Sequence, residues 1–449
     1  MAAETFTGNT VVIELGLDRG EPETYRAPTR STVPVWFVPM VLALLVLISS
    51  AASAAPPPPP LSTLLSLRIN PTDAYAVTDG GELLAQSPGL VSMYDLGSGA
   101  LRWRSDSSAP AYRLRTGGGL LLMRPWSAGL SGIGDPGTTA ISLADGISRW
   151  RRAGSVVTLA GSSALLSVTT VRSSTAGRNV EGAVDLVDPV TGSTRWQVDI
   201  PSTAVLMSVP GPVGAPARML LVHDNRTAAV HDLATGARLA TGPLPPADYG
   251  PDNPTVSGGL ILLRHPADEG YEISAFDPVT LGLRWSRPAR GADQIVGCGQ
   301  YACLTGADGV RGLDSQTGRT LWFRSDWRTV EQHGRLVLAF AAPGTSSEAL
   351  GIIDPEHGRI VADLRGWRPL SAVGVTVGGA AGSADHLIVT RVVAAGARSM
   401  VAVAGPGDER PRPIAELPAG SGDCQAAPAR LVCRSTTGEL VVWAYRQKG

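Results

Sequence analysis

Four cysteines, six histidines and one glycine-rich string are the residues of this chain whose types and spacing could do chemistry, and each also has a structural explanation. Cys298 and Cys303 bracket Gly-Gln-Tyr-Ala, and Cys424 and Cys433 bracket eight residues. A zinc site would want C-x-x-C spacing, which neither pair has, and the pairs stand two or more repeats apart. Local disulfides, 298 with 303 and 424 with 433, suit an exported protein. With Gln300 and Tyr301 as a two-residue turn, Cys298 and Cys303 would face each other as a non-hydrogen-bonded pair, whose short Cα separation a disulfide accepts. Gly132-Ile-Gly-Asp-Pro-Gly137 spells G-x-G-x-x-G, but Pro136 and the lack of a following helix deny it a phosphate-binding helix N-terminus. The histidines are scattered at 223, 231, 265, 333, 357 and 386. The two His-Asp pairs among them, at His223 and His231, look like a metal or acid/base cluster, but Asp232 is a repeat's turn residue and His231 beside it falls on a strand face, so both histidines read as structural rather than as ligands. Asn225-Arg226-Thr227 is a glycosylation sequon by spelling only. The strings G-x-S-x-G, H-E-x-x-H and the P-loop do not occur. No catalytic, cofactor-binding or metal residue is expected, and the chain reads as a binding module rather than an enzyme.

The elements that would position any site come from a repeated string. DSQTGRTLW runs from Asp314 to Trp322, and the same grammar returns from Asp95 to Trp103, Asp188 to Trp196 and Asp277 to Trp285. A shortened copy ends at Trp150. Two worn copies start at Asp232 and Asp354 and have Ala240 and Ala362 where the Trp would stand. Short alternating apolar segments flank each turn, so each copy reads as strand, tight turn, strand. The Asp can accept hydrogen bonds from the turn's own amides, and the Gly supplies the positive φ that the turn requires. The Trp must bury its ring against a neighbouring copy, since a lone hairpin does not hold itself. The copies end at 103, 150, 196, 240, 285, 322 and 362, a spacing that leaves room for about four short strands per repeat.

These strings resemble the PQQ-like, or BamB-like, β-propeller repeat, A-x-D-x-x-T-G-x-x-x-W, over roughly residues 64 to 445. The resemblance implies an all-β propeller. Seven turns are visible, a region near His386 to Leu417 has strands but a Pro-rich turn, and the two chain ends would share one further blade. Eight blades are expected, within a range of seven to nine. The same repeat builds quinoprotein dehydrogenases, which hold a quinone against a disulfide of adjacent cysteines with calcium beside it. This chain has no adjacent cysteines, so neither cofactor is carried over. A PQQ-dependent enzyme, or another with a site assembled across blades, such as one acting on carbohydrate, stands as the alternative.

Net charge is −1, so no basic field points to nucleic acid. Residues 1–33 read as a polar cytoplasmic tail in which the apolar run Thr10 to Leu17 is a candidate docking motif or sensor relay. Residues 34–55 carry no charge over 22 residues, long enough for one membrane-spanning helix. Arg19, Arg26 and Arg30 precede that run, which places the N-terminus inside. A signal peptide cleaved after Ala54 is the rival reading. Residues 56–63 form a Pro-rich spacer, and 64–449 the extracytoplasmic propeller. The expected partners are the cell membrane through 34–55 and an extracytoplasmic protein, glycan or small ligand.

Overall fold

The computed structural model describes residues 34, 36–52, 61–78, 80–106, 111–125, 137–159, 162–173, 178–209, 217–245, 254–341, 349–370, 386–393, 398–418, 420–427 and 429–445. The run Thr10 to Leu17 and the five prolines therefore lie outside the described residues, as do residues 132–136 of the glycine-rich string. Two units are distinguished, 1–58 and 59–449. In the first, an uncharged α-helix of 16 residues covers Phe37–Ala52, which at 1.5 Å per residue is about 24 Å long. Among the described residues no helix is long and apolar enough to cross a membrane.

The second unit is built of antiparallel strands. Five sheets have four strands, and two have seven. In each seven-stranded sheet one long strand serves two neighbours. Thr194–Val209 pairs through 194–200, and again through 204–206, with the strand before it, and through 204–209 on its other edge with Arg218–His223. Arg359–Pro369 does the same between Ala349–Asp354 and Leu387–Val393. Among the described residues, counted this way, the strands make nine four-stranded units, where eight are expected within a range of seven to nine. They cover 75–106, 111–152, 155–200, 204–243, 255–288, 292–324, 329–363, 368–417, and a closing unit that joins the chain ends. The region near His386 to Leu417, whose Pro-rich turn departs from the repeat, forms a unit of its own, 368–417, with its last three strands fully paired and its first joined through Arg368 and Pro369. In the closing unit Leu61–Arg68 pairs with Glu439–Tyr445, Leu61 opposite Tyr445. The first strand of the domain thus begins at Leu61, inside the stretch read as spacer.

Where first strands of neighbouring units touch, as Tyr75–Val77 does with Ala111–Gly117 and Ala292–Cys298 does with Thr255–Ser257 and Thr329–His333, they lie side by side on the inner side of the units. Between neighbours lie nine apolar clusters, one for each seam. Met93, Trp103, Leu121 and Ile141 join the 75–106 and 111–152 units. Ile388, Val401, Leu431 and Trp443 join 368–417 to the closing unit. Ile69, Leu83, Leu440 and Val442 join the closing unit to 75–106 and complete the cycle. A cycle leaves no unit with an uncovered apolar face.

The repeat string fastens the seams. Each turn is closed by its Asp, as where Asp188 Oδ1 accepts the amides of Val190 and Thr191 at 2.8 and 3.0 Å. Asp95, Asp232, Asp277, Asp314 and Asp354 accept turn amides in the same way. In the shortened copy Ser142 takes the Asp place, with Gly146 N donating to its carbonyl at 2.9 Å. The Trp of one unit then docks on the turn of the next. The indole N–H donates to the carbonyl following the turn's first residue: Trp103 to Leu143, Trp150 to Pro189, Trp196 to Leu233, Trp285 to Ser315 and Trp322 to Pro355, at 2.8–3.1 Å. The turn glycine lies on the ring. A Cβ on Gly318 would stand 2.6 Å from Trp285, and φ there is +69°, so both the backbone and the close approach require glycine.

The worn copies are fastened differently. Where Ala240 replaces the Trp, the next turn has Leu281 at the position glycine holds elsewhere, with φ +56°. Leu281 is 7% exposed and packs into the cluster against which Ala240 also lies. At Ala362 the following turn has no Asp-Gly pair, and Asp363 N donates to Glu409 O at 3.0 Å instead.

Candidate functional site

Both disulfides pair locally, Cys298 with Cys303 and Cys424 with Cys433. Cys424 faces Cys433 directly in the strand register. The first pair departs from expectation. The two-residue turn is Gly299-Gln300, with φ +68° at Gly299, so Cys298 opposes Tyr301 while Cys303 opposes Val296. The cysteines are diagonal neighbours on one face, with Cα atoms 5.9 Å apart. Asn225 caps its own turn, its side-chain oxygen accepting from Thr227 N at 3.0 Å. Arginines hold two turn carboxylates low: Arg195 beside Asp188 and Arg284 beside Asp277 each depress the carboxyl to about 2.

The structure brings together two polar groupings that spacing did not show. On the 255–288 unit a hydrogen-bonded line runs from His265 Nε2 to Ser274 Oγ (2.8 Å), on to Ser286 Oγ (2.9 Å), and ends on Glu272 Oε2 (2.7 Å). His265 and Ser274 are buried, so the line ties three strands of that unit together rather than presenting a nucleophile.

The second grouping lies where the chain ends meet. A cavity of about 560 Å³ is lined by Arg68, Asn70, Asp73, Thr437 and Glu439 among others, within the range of small-molecule sites. Its wall, the linker 70–73, is clamped by Arg434, whose guanidinium donates to Pro71 O and Asp73 O and lies 5.0 Å from the Tyr75 ring centroid. Asp73 Oδ2 accepts Asn70 N at 2.7 Å. Tyr75 O–H donates to the carbonyl of Asp423, a residue at φ +42° whose carboxylate pairs with Arg434 at 3.4 Å. Burial first, and then the Asp423 charge, raise the Tyr75 phenol above its ordinary range, so the hydroxyl keeps its proton. No spacing rule could have found this site, since its residues come from opposite ends of the chain.

His223 lies at the kink where Thr194–Val209 passes between units. It is 9% exposed, and among the described residues its Nδ1 and the neighbouring Ser202 Oγ have no hydrogen-bond partner. Burial lowers the imidazole below its ordinary value, with His231 adding to the effect and Asp224 opposing it. A depressed folded-state value means the neutral ring stabilises the fold above about pH 6.5, and that contribution is lost as pH falls through the folded value. His223→Phe keeps the ring volume without a titrating group. It is expected to flatten the acid limb of denaturant midpoint against pH, and an unchanged limb would assign the acid sensitivity elsewhere.

Residues 62–205 and 180–403, more than half of the chain, match the family described as outer membrane protein assembly factor BamB. Solved structures to which the chain is similar include three. BamB from Moraxella catarrhalis is 16% identical, with 86% of this chain and 100% of that one covered and a TM-score of 0.37. A quinohemoprotein alcohol dehydrogenase from Pseudomonas putida HK5 is 12% identical, with 64% and 72% covered and a TM-score of 0.37. A eukaryotic initiation factor is 11% identical, with 89% and 95% covered and a TM-score of 0.49. No curated protein matches the chain. With the Asp-Gly turns, the docked tryptophans and the family match in agreement, the chain belongs to the BamB-like family of PQQ-like repeat propellers.

Proposed function

We propose that this chain is a membrane-anchored binding or scaffolding module: a nine-bladed ring held outside the cell, offering its faces to a protein partner. The observation that carries the reading is the ring itself. Nine seams, each with its own apolar cluster, make a rigid frame whose loops can vary without disturbing it. Membership of the BamB-like family favours protein interaction as the use of that frame. The anchor rests on the uncharged run 34–55 and the three arginines before it. The run as a whole is longer than the described helix Phe37–Ala52. Glycan is the second ligand class that such a ring could take.

Native mass spectrometry of the full-length chain, drawn gently from its own membranes, tests this. An added protein mass on a chain that retains residues 1–54 is the expected result. An added quinone or calcium mass would make the protein an enzyme of the dehydrogenase kind. A bare chain lacking residues 1–54 would remove both the anchor and the scaffold reading.

A further inference from the structure

We infer that the cavity at the closing seam is a binding site for a small zwitterion, an amino acid or dipeptide, whose carboxylate meets Arg68 and whose ammonium group meets Glu439 and Asp73. The inference goes beyond the scaffold reading and does not depend on it.

Three observations carry it. The first is an ion pair that the register offers and the side chains do not make. Arg68 and Glu439 stand opposite each other on adjacent antiparallel strands, the arrangement in which opposite charges ordinarily pair. Instead Glu439 Oε1 accepts the Ser66 hydroxyl, and among the described residues Arg68 has no carboxylate partner. Both residues line the cavity, so a guanidinium and a carboxylate that do not neutralise each other stand at its wall.

The second is the sign of the charges. One cation and two anions line the space, so a simple anion would be repelled by Asp73 and Glu439, and a simple cation, though drawn by the two carboxylates, would leave the Arg68 charge unmatched. A molecule with a charge of each sign at its two ends satisfies all three. Arg68 can take a carboxylate through two parallel N–H bonds, and Thr437 and Asn70 add neutral hydrogen-bonding groups.

The third is that the wall is already fixed. Arg434 grips the Pro71 and Asp73 carbonyls, Asp73 caps Asn70, and Ile69 N donates to Gly438 O at 3.0 Å. A site held this way loses little freedom on binding, which favours a small ligand.

Isothermal titration of the full-length chain in detergent with L-alanine and with L-alanyl-L-alanine tests the inference, since the two differ in the separation of their charges. One of them is expected to bind. The form with an acetylated amine and the form with an amidated carboxyl should each bind at least about tenfold more weakly, because each loses one charge-assisted contact. Arg68→Gln should reduce the parent ligand to the level of its amide, and Glu439→Gln to the level of its acetyl form. Arg68 and Glu439 are exposed, so both variants should unfold at the wild-type denaturant midpoint. The blocked ligands probe the same two contacts on the unaltered chain, where folding of a variant plays no part. Equal binding of free and blocked forms, or no heat from either parent, overturns the proposal.

Discussion

Trp285→Ala is expected to destabilise the ring by about 3–5 kcal/mol, the ordinary cost of emptying a buried aromatic site. Trp285 is 8% exposed, lies in the cluster between the 255–288 and 292–324 units, and donates its indole proton to Ser315 O at 2.9 Å. Alanine would empty the space beneath Gly318 and leave a buried carbonyl without its donor. Trp285→Phe separates the two effects. It keeps most of the ring and loses the N–H, so about 1–3 kcal/mol should be lost. Equilibrium denaturation in guanidinium reads both, with a lower midpoint for alanine than for phenylalanine. Equal midpoints would make the hydrogen bond the whole of the fastening, and a loss below about 1 kcal/mol for alanine would mean the seam holds without its Trp. The same change at Trp196, which is only partly buried, should cost less.

The contrast between fastened and worn copies shows what the sequence could reveal. Asp188, Gly192 and Trp196 are legible because three chemically special residues recur at fixed offsets, each for a local reason: a cap, a positive φ, a ring that needs cover. The seam contacts were inferred only in kind, since no string says that Trp150 will lie on Gly192 and not on another glycine. The 368–417 unit is legible by its strands but not by its turn, which uses Gly405 and Asp408 in place of the Asp-Gly spelling, Gly405 N donating to Asp408 Oδ2 at 2.9 Å. The Cys298–Cys303 turn lies one residue earlier than the cysteine spacing suggests, because Gly299, not Tyr301, supplies the left-handed backbone. The closing-seam cavity was out of reach in principle. Its residues 68–73 and 437–439 are neighbours only after the ring has closed, and it carries no recurring spacing.

Leu281 is the case where the spelling misleads and the structure explains why. DPVTLGLRW looks intact because it contains a Gly, yet that Gly282 stands one place late, and Leu281 takes the left-handed position. A leucine there costs about 1–2 kcal/mol of backbone strain. The neighbouring unit supplies the compensation. Ala240 leaves the space that a Trp would fill, and Leu281 packs into the same cluster. The two departures from the repeat therefore act as one exchange, and a four-protein cycle should show it. Ala240→Trp alone is expected to lose about 1–3 kcal/mol, since the indole would enter space already occupied. Leu281→Gly alone should lose about 2–5 kcal/mol for the emptied site, less the relieved strain. Together they rebuild the fastening that Trp196 makes with Gly236 one seam earlier. The double variant should match or exceed the wild-type midpoint, with favourable coupling near the top of the range of about 0.5–3 kcal/mol seen for residues in contact. Simple additivity would show that the two positions drifted apart from the repeat independently, and that the space at Ala240 is not the one Leu281 fills.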